Sequence, residues 1–398
     1  MTTTALRRKR ADITIIITVI AMTLFGIVMI YSASVILGHE IFRDGQLFFK
    51  KQILSALIGV TAMVVMANID YRIWQKYAAW MLGITLVLLL SVFFLSRGEI
   101  NGAHRWVDIG PLSFQPSELG KLTFLMYVSA WLARRQEQMH DIVGTFLPFA
   151  AVLTIISFLL LKQPDFGTLA VFFAAAVSIY LVAGMTWQQF VLGSSGVCLA
   201  LLAILSEPYR RARITTFLNP TSDTSGISWH VNNIAIAIGS GGWFGLGFGA
   251  SGQKRLFLPE PHTDSIFAVI TEELGFMVGA LVVVAFIFLA YRGFRIALRS
   301  QDVFGRLLAV GITSWFAFQA FLNLGSMAHL VPLVGVPLPF ISYGGTNLII
   351  SLAAIGVLLN ISRQGSDEPV KNEAPERRNS AVDRRAEARR TADRRRAA

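Results

Sequence analysis

Apolar residues run along this chain in long stretches broken by short polar ones. Ten stretches stand out: Ile13–Ile36, Ile53–Asn68, Ala78–Leu95, Ser117–Leu132, Phe146–Leu161, Phe166–Gly184, Trp187–Leu205, Ser265–Tyr291, Leu307–Ala328 and Leu348–Ile361. A helix rises 1.5 Å per residue, so ~20 apolar residues cross the ~30 Å hydrocarbon core of a bilayer. The shorter stretches reach that length by running into their polar flanks. The pattern predicts an all-α, polytopic membrane protein of about ten transmembrane helices. A large extracytoplasmic loop, about 206–264, separates the seventh from the eighth. The first stretch is too long for a signal-peptide core and reads as an anchored span.

Composition supports this class. Hydrophobic residues make up 54% of the 398 and charged residues 15%, against ~25% charged in soluble domains. The net charge of +11 is concentrated at the ends, in Arg7, Arg8, Lys9 and Arg10 and in a tail closing on Arg394, Arg395 and Arg396. Such runs bind nucleic acid in some proteins; in a membrane chain they report topology, because Lys and Arg stay on the cytoplasmic side. With the N-terminus inside, the inside connections hold Arg72 and Lys76, then Arg134 and Arg135, then Arg292, Arg295, Arg299 and Arg306. Arg43, Lys50 and Lys51 fall outside and argue against this, but an even span count with two basic ends outweighs them. The chain then divides into a basic cytoplasmic N-terminus (1–12), a transmembrane domain (13–363) and a basic, disordered cytoplasmic tail (364–398). A single cysteine, Cys198, permits no intramolecular disulfide, and no Cys/His cluster suggests zinc. No internal repeat signals an inverted-repeat transporter.

Ionisable side chains in such a chain need a partner or a purpose. Four clusters carry them. The first runs from Arg105-Trp106 to Gln115-Pro-Ser-Glu-Leu-Gly-Lys121. Pro116 suits a helix start, and Gln115, Glu118 and Lys121 then share a face. The pair Glu118–Lys121 is either structural or, with Arg105, the polar lining of a phosphate-binding cleft. The second, Lys162-Gln-Pro-Asp-Phe-Gly-Thr168, reads first as a turn with a helix cap at Asp165; Lys162 is not needed for that. The third, Leu258-Pro-Glu-Pro-His-Thr-Asp264, crowds Glu260, His262 and Asp264 before an apolar span. Asp264 is a helix cap on one reading and a general base on the other. Glu272 and Glu273 continue the acidity into the span. The fourth, Gly335 to Asn347, carries two prolines and a Gly-Gly pair that forbid a plain helix. Irregular backbone at membrane depth is a buried turn or a cavity wall. Separately, Ile234–Gly249 is apolar and Gly-rich, fit for a helix or a re-entrant segment. It lacks the lysine and the preceding strand of a nucleotide loop.

In their order along the chain these motifs resemble the SEDS family (shape, elongation, division and sporulation), over about Ile13–Arg363. Glu207-Pro-Tyr-Arg210, Arg213 and Phe217-Leu-Asn-Pro220 are more similar to its division branch than to its elongation branch. There are departures: His230 and Asn233 stand where the family often has two glutamines, and Ser265 where Phe is common. The resemblance implies an inverting peptidoglycan glycosyltransferase that polymerises lipid II into septal glycan strands and releases undecaprenyl pyrophosphate. A lipid II flippase or a non-enzymatic division scaffold is the alternative. It implies Asp264 as the catalytic base, and Arg105, Trp106, Gln115, Glu118, Lys121, Lys162, Asp165, Glu260, His262 and Ser342 as the substrate-binding set. Of these, Arg105, Lys121 and Lys162 are the candidates for the pyrophosphate charge. No cofactor is fixed; a divalent cation, magnesium or manganese, would meet the same charge. Implied partners are lipid II, the nascent glycan strand, a class B penicillin-binding protein acting as transpeptidase and other division membrane proteins, with no nucleic acid. The implied place is the bacterial plasma membrane at the division septum. Gly275, Gly279, Ala280 and Gly311 mark the eighth and ninth spans as the docking face for the partner's helix.

Overall fold

The computed structural model describes residues 11–95, 105–109, 112–205, 216–217, 227–255 and 257–365. The expectations for residues 1–10, for most of 206–226 and for the tail beyond 365 lie outside the described residues. The helices are α1 Ile13–Phe42, α2 Leu47–Asn68, α3 Arg72–Leu95, α4 Pro116–Ala133, α5 Leu147–Lys162, α6 Phe166–Ala183, α7 Trp187–Leu205, α8 Ile227–Ser240, α9 Ile266–Arg299, α10 Val303–Met327 and α11 Gly345–Gln364. Several outrun their apolar stretch because polar flanking residues continue the hydrogen-bonded turn. Their starts follow the side chains: Asp12 caps α1 through Thr14 N (3.1 Å), Pro116 opens α4, and Asp302 caps α10 through Gly305 N (2.7 Å).

Eight described helices are long and apolar enough to cross a membrane. The expected fourth span, α4, is not among them, and the expected seventh, α7, includes residues whose side chains lie outside the described ones. In α4 the reason is visible: it carries Glu118 and Lys121 and is buried by protein along most of its length. Its solvent is the bundle, so it needs no lipid-facing stripe. The most apolar stretches of α10 and α11 are 72% and 78% buried, against 28% for α2 and α3. The former are the central posts of the bundle; the latter turn apolar faces outward. One departure from the all-α expectation is a two-stranded hairpin, β1 Val107–Ile109 with β2 Leu112–Phe114, pairing Val107 with Phe114. Thr346 Oγ1 donates to Ser113 O (2.9 Å), which ties the hairpin to the start of α11.

The two ends of the bundle differ as the charge pattern predicts. At one end Asp12 pairs with Arg292, Arg72 with Asp302 (3.4 Å), and Arg363 donates to Ala67 O (3.0 Å). The four polar motifs gather at the other.

The Gly-rich run does two things. It completes α8 and then, from Gly241, folds back against α9. That helix is broken at Gly275, whose φ of +82° is left-handed. The freed backbone groups are met by the run itself: Phe276 N donates to Gly242 O (2.9 Å), Leu246 N to Glu272 O (3.0 Å) and Gly247 N to Glu273 O (3.0 Å). A Cβ at Gly245 would stand 2.2 Å from Glu273 O, so the glycines are required by this close approach. Glu272 and Glu273 lock the seam. Glu272 accepts from Ser251 Oγ (2.5 Å) and Gly252 N (2.9 Å); Glu273, fully buried, pairs with Lys254 (2.6 Å) and accepts from Ser32 Oγ (2.7 and 2.8 Å). The acidity inside the span is therefore structural. Three of the four small residues expected to form a docking face, the glycines, are also engaged internally. Gly275 lies on Gly245, Gly279 on Thr271, and Gly311 on Ile179 and Leu125. The outward side of α9 presents Phe276, Leu281, Val284 and Ile287 instead.

Candidate active site

Asp264 lies on the short segment 259–265 ahead of α9 and is half-buried. The helix cap falls on Ser265, one residue later, and makes no side-chain cap bond. Capping thus does not account for Asp264. Ser265 Oγ turns back to Pro259 O (3.1 Å) and meets His230 Nε2 on α8 (3.0 Å). Two departures from the family pattern, His230 and Ser265, are thus one contact. The other carbonyls of the segment are held as well. Ser342 Oγ donates to Thr263 O (2.7 Å), Tyr343 N to His262 O (2.8 Å) and Asn323 Nδ2 to Asp264 O (2.9 Å). The Asp264 carboxylate faces Gly335, where a Cβ would stand 3.1 Å from Oδ2. His262 is buried against Phe48 and Tyr343, with ring centroids 4.4 and 5.3 Å away. Burial pulls its pKa down to about 4 from 6.5, against the pull of Glu260, so the imidazole is neutral. Its Nδ1 is buried with no partner among the described residues.

The second polar group stands at the head of α4. Lys121 Nζ pairs with Glu118 Oε2 (2.8 Å), both side chains being almost wholly buried. Asn347 Nδ2 donates to the same carboxylate oxygen (2.9 Å). Lys121 also donates to Gln319 Oε1 (2.9 Å) and lies over the Trp315 ring (5.0 Å). Asp165 is the cap of α6, accepting from Thr168 N (3.2 Å), as its turn predicts, and it also accepts from Gln115 Nε2 (3.4 Å). Arg105 is half-buried and reaches the same turn, donating to Gln163 O (2.9 Å) and Pro164 O.

The structure therefore gathers Arg105, Gln115, Glu118, Lys121 and Asp165 into one group, and His262, Asp264 and Ser342 into another. The irregular segment before α11 runs between them. Trp106 is half-buried at the foot of the hairpin. Two expected site residues stand apart. Lys162 is exposed, its ammonium 5.7 Å from the Phe158 ring, and Glu260 is exposed with its carboxylate toward Thr263 Oγ1 (3.3 Å). Sequence reading passed over Gln319 and Asn323, which join the two groups. The signal was present: two amides four residues apart in an apolar span share one helix face and need buried partners.

Among the described residues no three His, Cys, Asp or Glu side chains come together to hold a metal ion. The described residues thus form no all-protein cage for magnesium or manganese, and the steps below use the chain's own groups.

A cell cycle protein family model, that of FtsW, RodA and SpoVE, matches residues 12–367. The chain is 42% identical over 360 residues to a probable peptidoglycan glycosyltransferase FtsW of Trichlorobacter lovleyi, covering 89% of this chain and 94% of that one. It is 38% identical over 359 residues to stage V sporulation protein E of Bacillus subtilis, covering 90% and 98%. Among solved structures it is similar to a chain of a peptidoglycan synthase complex described as coordinating polymerization and crosslinking. The TM-score is 0.75, with 27% identity over 90% of this chain and 99% of that one. Rod shape determining protein RodA of Thermus thermophilus follows with a TM-score of 0.66 and 27% identity, covering 90% and 98%. The bundle, the four motifs in order and these likenesses together make this chain a member of the FtsW/RodA/SpoVE, or SEDS, family.

Proposed function

We propose that this chain is a peptidoglycan glycosyltransferase of cell division, which polymerises lipid II at the outer face of the membrane with Asp264 as general base. One observation carries the reading. Asp264 is a half-exposed carboxylate that does not serve as the helix cap, and its segment is pinned at successive carbonyls. A sugar hydroxyl is a weak nucleophile, and a base fixed within reach of its proton is what the reaction lacks in water.

The acceptor hydroxyl gives its proton to Asp264 as its oxygen attacks the anomeric carbon of the donor. The bond from that carbon to the pyrophosphate oxygen breaks, and the lipid pyrophosphate leaves with the electron pair. One displacement inverts the configuration. Arg105 has donors beyond those it spends on the 163–164 turn and is our candidate for the growing pyrophosphate charge. Lys121 is neutralised by Glu118 and buried, so its first role is to hold the wall. Trp106 lines the approach; Gln115, Ser342 and the neutral His262 are buried and shape the wall behind it, His262 without adding a charge. Lys162 and Glu260 fit contacts with the headgroup or the glycan at the rim.

The basic end of the bundle is the cytoplasmic one, with both termini inside. The septum is the place of action, and a class B penicillin-binding protein is the partner that cross-links the product. Its helix would lie on the outward side of α9, where large apolar residues are exposed. The test is purified protein with lipid II, glycan length being read on a gel, alone and with the cognate transpeptidase. Chains that lengthen with time support the polymerase. Vesicles in which lipid II changes leaflet without any polymer would replace it with a flippase.

A further inference from the structure

Gln319 and Asn323 stand one turn apart on α10, and each is 1% exposed. Buried amides in an apolar span are costly unless their polar atoms are met, so two in successive turns need a reason. Gln319 Oε1 accepts from Lys121 Nζ (2.9 Å) and from Trp315 Nε1 (2.7 Å), while its Nε2 donates to Pro337 O (2.8 Å). Asn323 Nδ2 donates to Val336 O (2.7 Å) and to Asp264 O (2.9 Å). The two wall carbonyls gripped in this way are consecutive. The residue before them is Gly335, which holds a left-handed φ of +66° and bears on the Asp264 carboxylate. A single nitrogen therefore bridges the backbone of the base and the backbone of the surface its carboxylate faces. An amide nitrogen has two hydrogens, and this geometry uses both. Asn323 Oδ1 is buried with no partner among the described residues, so what the site keeps is the pair of donors.

We propose that Asn323 is a positioning residue that sets where the Asp264 carboxylate stands, and that Gln319 extends the same mount to Lys121. The inference rests on the reading of Asp264 as base. An aspartate at 323 has the shape of asparagine with neither donor. It would repel two carbonyls, release the Asp264 peptide from Val336 and let the carboxylate leave Gly335. A displacement near 1 Å lowers a rate by about 100-fold. Asn323 is enclosed beneath the segment and does not meet substrate, so binding is spared.

The experiment measures initial polymerisation rates against lipid II concentration, for the protein with its cognate transpeptidase, in Asn323→Asp and Asn323→Leu. Gly335→Ala disturbs the same carboxylate from the other side without touching α10, and serves if both α10 variants fail to fold. Melting temperature and lipid II binding are read on each. The expected result is a fall in kcat of about 100-fold with KM within about twofold in every variant that folds. Wild-type kcat in a folded Asn323→Asp overturns the positioning role. So does a rise in KM with kcat unchanged. Asp264→Asn is run alongside: if it is active, the base assignment fails and takes this proposal with it. If it is inactive while Asn323→Asp is normal, only the positioning role falls.

Discussion

Lys121→Met tests how the first polar group is held. In the native fold the Glu118 carboxylate is 2% exposed and receives Lys121 at 2.8 Å and Asn347 at 2.9 Å. Removing the ammonium leaves a buried carboxylate with an amide donor and no counter-charge, a loss that runs to about 3–5 kcal/mol. The cation–π contact with Trp315 adds about 0.5–2 kcal/mol. Met keeps most of the stem's packing, so electrostatics dominate. The companion Glu118→Gln/Lys121→Met removes the stranded charge. Asn347 can still donate to the new amide oxygen and Trp315 to Gln319. The remaining cost is one amide nitrogen without a matched acceptor, about 1–3 kcal/mol. The double variant should therefore be more stable than Lys121→Met by about 2 kcal/mol, the coupling expected of groups in contact. The assay is denaturant unfolding of purified protein in mild detergent, followed by intrinsic tryptophan fluorescence. Equal stability of the single and double variants would refute the buried-pair account. A double variant that is stable yet unable to polymerise would assign the pair to substrate.

Gly245→Val forces a side chain into the backbone of α9 at a left-handed φ. It should cost more than about 3 kcal/mol through strain and overpacking, read as lost expression or a lowered melting temperature. His262 is neutral when folded, with a pKa near 4, while in the unfolded chain it protonates below 6.5. Stability therefore falls as pH drops from 6.5 towards 4, by about 3 kcal/mol in all. His262→Phe, which keeps the stacking on Phe48 and Tyr343, should flatten that part of the melting-temperature profile, and an unchanged slope would contradict the assignment. Arg105→Ala should lower polymerisation by about 10- to 100-fold, the worth of a charge-assisted contact, with melting little changed; normal turnover would make Arg105 a structural tie.

Much of this was legible in the residues because the bilayer is a severe solvent. It imposes length and apolarity on each span, so α1, α2, α9 and α10 are visible from hydropathy, and charges at the ends sort its two faces. The limits have the same origin. Helix α4 faces protein rather than lipid, so it can carry Glu118 and Lys121 without an apolar stripe. The break at Gly275 is invisible in a stretch that hydropathy reads as a single span, because its repair comes from Gly242–Gly247, about 30 residues earlier in the sequence. Nothing in the sequence marks Lys254 as the partner of Glu273 on α9 and Ser32 on α1, because the three lie far apart along the chain. In the site, titratable residues drew attention to Asp264 and His262, while the neutral amides that hold them, Gln319 and Asn323, carried no such flag.

The central claim is that Asp264 is a base and not a structural carboxylate. Asp264→Asn keeps the shape and the backbone contacts of the segment, and changes the one capacity that matters, taking a proton. With purified variant, its cognate transpeptidase and lipid II, the account predicts normal folding, normal lipid II binding and no glycan polymer. Polymer formed at the wild-type rate by Asp264→Asn would contradict it.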